Sequence, residues 1–516
     1  MKKRLLSLIL ALCIIISFSP STLAANLPEV DVRTEGLAPA QPQEAPAEKP
    51  RDAGAERRTI YVSNEGTEED DGATAETPTT LARATELANE GKKPVEIVVL
   101  GQVSVDTWTS PTVETTLRGG DENAELLFEY CSASDGAYNI SLADALTIDE
   151  IKFNCNYTDY FFSRYYGTYT IVANGYPLVI ASGVQYSYYT ADTIVDGKTC
   201  STSSCYVIGG GLDEDITGGT HVEIYTSLPL TYVYGGGVNG SVESNVYLHI
   251  ENCGKIQHVR AGGYANKKDA KVNGNITLDF INSVTDNPIY GGGYARSSYS
   301  AEVTGSICIN LSGLNNGFGR PIYGGGYGKN APVVGNIRFN ISNTKMNNNA
   351  AAIYGGGYNS DVTGDIFIHI KENSLISEET VWGGGTGDST ITGGVTITVD
   401  DSSEVIGEIR AGGNEGADVI GDVVITVSGG PQSACPTIFA TGKGEDKDNP
   451  AQVDGNVSIT LHGSRANVYT LDKFGEVTSD HTVTIILDDT DELSGAVRGD
   501  SKLGQHLYNY EKNTPT

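Results

Sequence analysis

A motif of three consecutive glycines recurs along this chain, and its spacing constrains the fold more than any other feature. In its fullest form the glycine motif is Ile-Tyr-Gly-Gly-Gly-Tyr. Neighbouring copies begin between 26 residues (207 to 233) and 33 residues (289 to 322) apart, which is the length of one solenoid coil. A single coil cannot bury its own apolar face, so the copies are expected to stack into one elongated body. Exact and looser copies begin at Val207, Val233, Val259, Ile289, Ile322, Ile353, Val381, Ile409 and Ile438.

A strand in which apolar and polar residues alternate follows most copies of the glycine motif. Ile276, Leu278 and Phe280 set the pattern, with a polar residue between each pair. A period of two with β-branched residues on one face is typical of a half-buried strand. The pattern recurs at 307–311, 337–341, 366–370, 395–399, 423–427 and 457–461. Because equivalent strands of successive coils would pair in parallel about 4.8 Å apart, the sequence predicts an all-β parallel β-helix.

The start of the chain predicts export. Lys2-Lys3-Arg4 precede an apolar run over 5–18 and small residues up to Ala25, so residues 1–25 read as a signal peptide. Residues 26–58 are rich in Pro, Ala and Glu, which predicts a disordered linker. We expect a cap with irregular coils over 59–205, regular glycine-repeat coils over 206–462, and last coils with a C-terminal tail over 463–516. The protein is expected to be secreted, with or without cell-surface association, and to have no membrane span after signal cleavage.

Charge and cysteine usage limit the partners. The chain has 65 Asp and Glu against 34 Lys and Arg, a formal net charge of −31. Nucleic-acid binding needs basic patches for phosphate contacts, so nucleic acid is not expected as a partner. Cys200 and Cys205 are close enough in sequence to bridge a turn as a disulfide. No two cysteines have the Cys-x-x-Cys spacing of a zinc site, and we expect no metal or other cofactor.

The first part of the predicted solenoid resembles a known fold family. Thr59-Ile-Tyr-Val-Ser, the helical stretch 83–89 and the strand Val95-Glu-Ile-Val-Val-Leu resemble the opening of bacterial secreted β-helix proteins of the pectate-lyase-like fold. The resemblance implies a right-handed, single-stranded helix whose first coil is closed by a short capping helix. The Tyr-Gly-Gly-Gly-Tyr coils look like those of Gram-positive surface proteins and adhesins. The superfold also carries lyases and hydrolases, so the resemblance implies export more than any one activity.

Each glycine motif begins with an aliphatic residue, and the residue that follows it supplies the candidate binding site. If alternation holds, these side chains face outward and stack into an aromatic and guanidinium ladder at Tyr234, Arg260, Tyr290, Tyr323, Tyr354, Trp382 and Arg410. Sugars stack on such planes, and the glycines would leave an open floor beside them. A secondary ladder is expected at Tyr264, Tyr294, Tyr327 and Tyr358. Two other readings stay open: the tyrosines serve only to stabilise the stack, or they face inward around a tight glycine corner.

Catalytic residues are not predicted. His221, His249 and His369 share the outward face of their strands but are expected to lie several coils apart. Asp279 is expected to have no acidic partner on the adjacent coils, whereas a polysaccharide hydrolase needs convergent carboxylates. The sequence therefore favours an adhesin or glycan-binding protein whose partner is a polysaccharide or a host or cell-surface protein. The alternatives are a β-helix polysaccharide lyase or glycoside hydrolase, and a structural spacer.

Overall fold

A computed structural model shows a parallel β-solenoid that extends from Arg58 to Lys512, which confirms the predicted fold class. The predicted signal peptide and nearly all of the predicted linker lie outside the residues that the structure describes. The described residues are 57–512 apart from 129–138, 156–167, 187–193, 196–197, 200–203, 227, 229, 255, 297, 315–317, 347–350, 378–379, 430–435, 447, 465, 473, 479–480, 489–496 and 499–507. The right-handed coil that the resemblance implies stays a prediction.

Sheet 1 is the longest wall of the solenoid and is parallel throughout its described strands. Strands that follow one another along the sheet belong to successive coils, as the alternating pattern predicts. Its sixteen described strands are Arg58–Thr67, Val95–Val99, Thr115–Gly119, Leu146–Asp149, Leu178–Ile180, Thr220–Ile224, Val246–Glu251, Ile276–Ile281, Ile307–Ser312, Ile337–Ser342, Ile366–Lys371, Val395–Val399, Val423–Ser428, Val457–His462, Val483–Asp488 and Tyr508–Lys512.

Sheet 2 is the second long wall and contains the strands that directly precede the glycines of the glycine motifs. It too is parallel, and seven successive strands, from Leu230–Tyr234 to Glu408–Arg410, each end at a residue predicted for the ladder. Its fourteen described strands are Trp108–Thr109, Ile140–Ser141, Thr168–Val172, Ser204–Ile208, Leu230–Tyr234, Ile256–Arg260, Ile289–Tyr290, Ile322–Tyr323, Ala352–Tyr354, Thr380–Trp382, Glu408–Arg410, Thr437–Phe439, Asn467–Tyr469 and Val497–Arg498.

Shorter parallel sheets complete the coils. A six-stranded sheet contains Val333–Val334, Val362–Thr363, Thr390–Thr392, Asp418–Ile420, Ala451–Asp454 and Gly475–Val477. Smaller sheets join Gln102–Val105, Glu125–Phe128, Lys152–Cys155 and Gln185–Tyr186; Lys345–Met346, Leu375–Ile376 and Glu404–Val405; and Tyr264–Ala265 with Tyr294–Ala295. Ile194–Val195 and Lys198–Thr199 form an antiparallel pair.

One helix, Leu81–Gly91, is present among the described residues, and it covers the predicted helical stretch. The Thr80 side chain caps its first turn by accepting a hydrogen bond from the Arg83 backbone N–H at 3.1 Å. Leu81, Ala84, Leu87 and Ala88 bury one face of the helix in the solenoid core. The Trp108 indole donates to the Thr85 hydroxyl at 2.9 Å and ties the helix to sheet 2. That this helix closes the first coil stays a prediction.

The core consists of rows of aliphatic side chains that repeat from coil to coil. One row on sheet 1 is in register over nine coils, and every member is at most 5% exposed. The row is Leu248, Leu278, Ile309, Phe339, Ile368, Ile397, Ile425, Ile459 and Ile485. The predicted inward alternation of these strands is therefore confirmed, and the outward positions form matching rows on the solvent face.

The glycine motifs form a corner at which the backbones of successive coils stack directly. The Gly291 N–H donates to the Tyr323 carbonyl at 2.9 Å, and the Gly292 N–H donates to the Gly325 carbonyl at 3.0 Å. A Cβ atom on Gly292 would lie 2.8 Å from the Gly326 nitrogen, closer than a side chain tolerates. Glycine is required here because backbone meets backbone, and the chain can then leave the corner in a new direction.

Candidate ligand-binding columns

The ladder predicted from the sequence exists as a continuous row in register, which we name the inner column. Each member lies at the end of a sheet 2 strand, directly after an aliphatic residue of the core. Strand pairing places in one row Val172, Ile208, Tyr234, Arg260, Tyr290, Tyr323, Tyr354, Trp382, Arg410, Phe439 and Tyr469. The alternation is therefore as predicted, and all seven candidate ladder residues share one face.

A second row, the outer column, lies on the other side of the glycine corner. Backbone bridges from coil to coil place in it Leu212, Val238, Tyr264, Tyr294, Tyr327, Tyr358, Thr386, Asn414 and Lys443. All four residues of the predicted secondary ladder belong to this column. Three successive coils have tyrosine in both columns, beginning with Tyr290 and Tyr294.

The two columns pack against each other across the corner. The rings of Tyr290 and Tyr294 are 5.5 Å apart and nearly perpendicular, and those of Tyr323 and Tyr358 are 5.9 Å apart with the same edge-to-face arrangement. Tyr290 and Tyr323 belong to an aromatic cluster of their own, separate from the solenoid core. Side chains that point away from the core on both sides of a corner can meet only where the outer surface is concave. The tyrosines therefore fill a groove that follows the solenoid axis.

The inner column is buried at the base of this groove, which corrects the expectation of an open ladder. Its seven candidate residues are between 4% and 8% exposed. The rings of Tyr290, Tyr323, Tyr354 and Trp382 also cover one another, with centroids 4.8–5.8 Å apart and planes within 12° of parallel. The glycines of the corner are buried as well, so they do not form the expected open floor. The sequence does not reveal this, because the angle of the corner decides what lies above the ladder.

The outer column is the part of the groove that solvent reaches. Tyr264, Tyr294, Tyr327 and Tyr358 are half-buried. Tyr294 and Tyr327 stack at 4.2 Å with planes 5° apart, and Tyr327 and Tyr358 stack at 5.1 Å with planes 10° apart. Because Tyr294 and Tyr358 cover the two faces of Tyr327, this part of the column presents ring edges and phenol groups to a ligand, repeated once per coil.

Two arginines interrupt the inner column in different electrostatic settings. Arg410 is held by two carboxylates: its Nε donates to Glu408 at 2.8 Å and its Nη1 to Asp472 at 2.6 Å. Arg260 has no ion pair with any described residue and is surrounded by aromatic rings instead. Its Cζ atom lies 3.5 Å from the ring centroid of Tyr294 in the outer column.

A polar network on the solvent face of sheet 1 is the feature that sequence reasoning missed. His221 and His249 lie on neighbouring coils, not several coils apart, because Glu223 pairs in register with His249. The His221 Nε2 atom lies 2.6 Å from Glu223 Oε1, and the Tyr225 hydroxyl donates to Glu223 Oε2 at 2.9 Å. The alternation of polar residues in His-Val-Glu-Ile-Tyr and Tyr-Leu-His-Ile-Glu was the available signal.

Asp279 belongs to the same network. It is linked through His249 to Glu251, an acidic residue that was not predicted to lie near it. His249 bridges the two carboxylates, with Nδ1 3.4 Å from Asp279 Oδ2 and Nε2 3.2 Å from Glu251 Oε2. The Tyr247 hydroxyl donates to Asp279 Oδ2 at 2.9 Å. On the other side, the Asn310 amide donates to Asp279 Oδ1 at 2.6 Å.

Hydrogen bonding sets the charge states of this network. A hydrogen bond with His221 lowers the pKa of Glu223, against the effect of burial. Burial favours the neutral form of both Asp279 and His249, but hydrogen bonds outweigh it, so the pKa of Asp279 is lowered and that of His249 is raised. Glycoside hydrolysis by a carboxyl pair requires one carboxyl with a raised pKa as the general acid. Glu223 and Asp279 do not provide such an acid.

The described residues contain no group of three or more His, Cys, Asp and Glu side chains placed to hold a metal ion. In the same part of the chain, none of the helical structure has the length and apolar character of a membrane span. Cys205 is buried and unbridged among the described residues, and burial raises the pKa of its thiol. Its predicted partner, Cys200, lies outside those residues, so the disulfide stays a prediction.

Comparison of the chain with protein-family models, curated proteins and solved structures found no match. The geometry of the two columns is therefore the basis on which a function can be inferred for this chain.

Proposed function

We propose that this chain is an exported, adhesin-type binding solenoid that holds an elongated glycan along the outer column. The observation that carries the proposal is the register of Tyr294, Tyr327 and Tyr358, which remain half-exposed on three successive coils. Each of them is supported by a buried inner-column tyrosine. Tyrosine is a rigid, amphipathic side chain with a hydroxyl for hydrogen bonding, and it is enriched at binding surfaces for that reason.

The repetition of the outer column favours a polymer over a compact ligand. Successive coils place equivalent phenol groups about 4.8 Å apart along the axis. A chain of sugars offers hydroxyl groups and ring oxygens at regular intervals, so it can contact several coils at once. Weak contacts that are linked in this way add up to a useful affinity through effective concentration. Export, supported by the apolar run over 5–18 that follows Lys2-Lys3-Arg4, would place the groove where such polymers occur.

Affinity electrophoresis tests the proposal directly. The purified protein is run through native gels that contain neutral, acidic or cell-wall polysaccharides, and the gels are stained afterwards for polymer. We expect retardation in at least one gel without a cleared zone. A cleared zone would identify an enzyme and contradict the proposal. Free migration in every gel would also contradict it and would favour a protein partner or a spacer. Tyr61→Ala, which removes a half-buried tyrosine from sheet 1, is the control that should still be retarded.

A further inference from the structure

Arg260 is a buried cation without a counter-charge in the described part of the chain. The residue is 6% exposed. Its one hydrogen bond there runs from Nη1 to the Tyr234 hydroxyl at 3.2 Å, and its Nε has no partner. A guanidinium carries five N–H donors, and burying a charge is unfavourable unless it is paired. The chain has 65 acidic side chains, yet no described one pairs with this arginine.

The surroundings of Arg260 stabilise a cation but do not neutralise it. Its Cζ atom lies 3.5 Å from the Tyr294 ring centroid, 4.9 Å from that of Tyr264, 5.2 Å from Tyr232 and 5.4 Å from Tyr234. The guanidinium also coincides with a break in the outer column. Tyr264 and Tyr294 are 5.9 Å apart and tilted by 62°, whereas the next outer-column pairs are stacked nearly parallel. The regular ring stacking of the outer column is therefore interrupted at the coil of Arg260.

Arg410 is an arginine of the same column whose charge is paired by carboxylates of the protein itself. It is similarly buried and lies over the Phe439 ring at 3.8 Å. Glu408 and Asp472 both form ion pairs with it. The difference between the two sites is the missing carboxylates, because both have aromatic contacts.

Further basic side chains lie beside the Arg260 coil. Arg296 is exposed next to Tyr294 and Tyr264, and these phenol groups raise the pKa of its guanidinium, chiefly through the charge interaction with Tyr294. Lys267 and Lys268 are exposed on the segment that follows Tyr264. Two guanidinium groups, those of Arg260 and Arg296, therefore lie beside Tyr264 and Tyr294 in a protein with a net charge of −31. At physiological salt the repulsion from distant acidic residues is screened within about 8 Å.

We propose that Arg260 and Arg296 form an anion site in the groove, and that it binds a carboxylate or sulfate group of an acidic polysaccharide. The inference rests on the proposed function and names the class of its ligand. A planar guanidinium recognises such groups through two parallel N–H···O hydrogen bonds, and these are strong when both partners are charged. The anion supplies the missing counter-charge while the polymer follows the outer tyrosines.

Binding of defined polymers tests this site. Wild-type protein, Arg260→Gln and Arg296→Gln are titrated with polygalacturonate, dextran sulfate and neutral dextran at constant salt. Arg338→Gln is the matched control, since it removes an arginine that lies 4.7 Å from the Phe367 ring on another face. Thermal melting of each variant identifies unfolding. Arg296 is exposed, so its variant is expected to fold even where Arg260→Gln is unstable.

We expect wild type to bind polygalacturonate or dextran sulfate more tightly than dextran, and the polymer it prefers distinguishes a carboxylate from a sulfate ligand. Arg260→Gln and Arg296→Gln should each weaken that binding about tenfold or more, as loss of a charge-assisted hydrogen bond does. Arg338→Gln should bind like wild type. Equal binding by wild type and both site variants would overturn the anion site, while retained binding to neutral glycans would leave the proposed function intact. A wild-type protein that binds no glycan in any form would overturn both.

Discussion

The rings of Tyr290 and Tyr323 lie 5.1 Å apart on neighbouring coils, with planes 6° from parallel. Each ring covers a face of the other, and the Tyr354 ring covers the second face of Tyr323. Both are also buried beneath the outer column. The relationship divides the tyrosines by role: those of the inner column stabilise the groove, and those of the outer column form the aromatic surface that a ligand can reach.

Removing an inner-column ring should destabilise the solenoid. Tyr323→Ala takes away a side chain that is 6% exposed, and large-to-small changes of this kind cost about 3–5 kcal/mol. Tyr323→Phe keeps the stack and should cost much less. Differential scanning calorimetry of the two variants checks this. Equal melting temperatures for them would mean that the ring does not contribute through stacking.

The glycine corner should not tolerate a methyl group. Gly292→Ala would place a Cβ atom 2.8 Å from the backbone nitrogen of Gly326, so the coils would have to separate locally. We expect a clear loss of thermal stability. Gly254→Ala is the matched control because no atom lies within 4 Å of its added Cβ. If both variants melted like wild type, direct backbone stacking at the corner would be wrong.

The ion pairs of Arg410 should matter more than those on the surface. Asp472→Ala leaves a buried guanidinium with one carboxylate partner, which should cost about 1–3 kcal/mol. Asp388→Ala removes an exposed ion pair with Lys329 and should leave the unfolding free energy close to that of wild type. Denaturant unfolding of the two variants compares them. A larger effect at Asp388 would contradict the described burial.

The network around His249 predicts a dependence of stability on pH. The folded pKa of His249 is above its ordinary 6.5, so its contribution is complete below pH 6.5 and is lost as the pH rises through the folded value. The folded pKa values of Glu223 and Asp279 are below 4.5 and 3.8, so their contributions are present above those values and are lost on further acidification. The network should therefore stabilise most between about pH 4.5 and 6.5.

Melting temperatures at pH 5.5 and pH 8 measure this effect. The decrease between the two should be smaller in His249→Asn than in wild type, whereas Thr396→Ala, which changes a non-titratable side chain on the same face, should keep the wild-type decrease. An unchanged profile for His249→Asn would show that the histidine is not the titrating group.

The fold was predictable because the strand alternation at Ile276, Leu278 and Phe280 repeats with little variation. The burial of Tyr290 was not, since it depends on the angle at Gly291 to Gly293 and not on the side to which the residue points. The pairing of Glu223 with His249 on neighbouring coils was missed because coil lengths vary, so outward neighbours on irregular coils are hard to align from sequence.

The most direct measurement compares two triple variants for both binding and stability. One replaces Tyr290, Tyr323 and Tyr354 of the inner column with alanine, and the other replaces Tyr294, Tyr327 and Tyr358 of the outer column. With a glycan that retards the wild-type protein, we expect the outer variant to lose binding with a modest change in melting temperature. The inner variant should show the larger loss of stability. Wild-type binding by a folded outer variant would contradict the assignment of the ligand surface to the outer column.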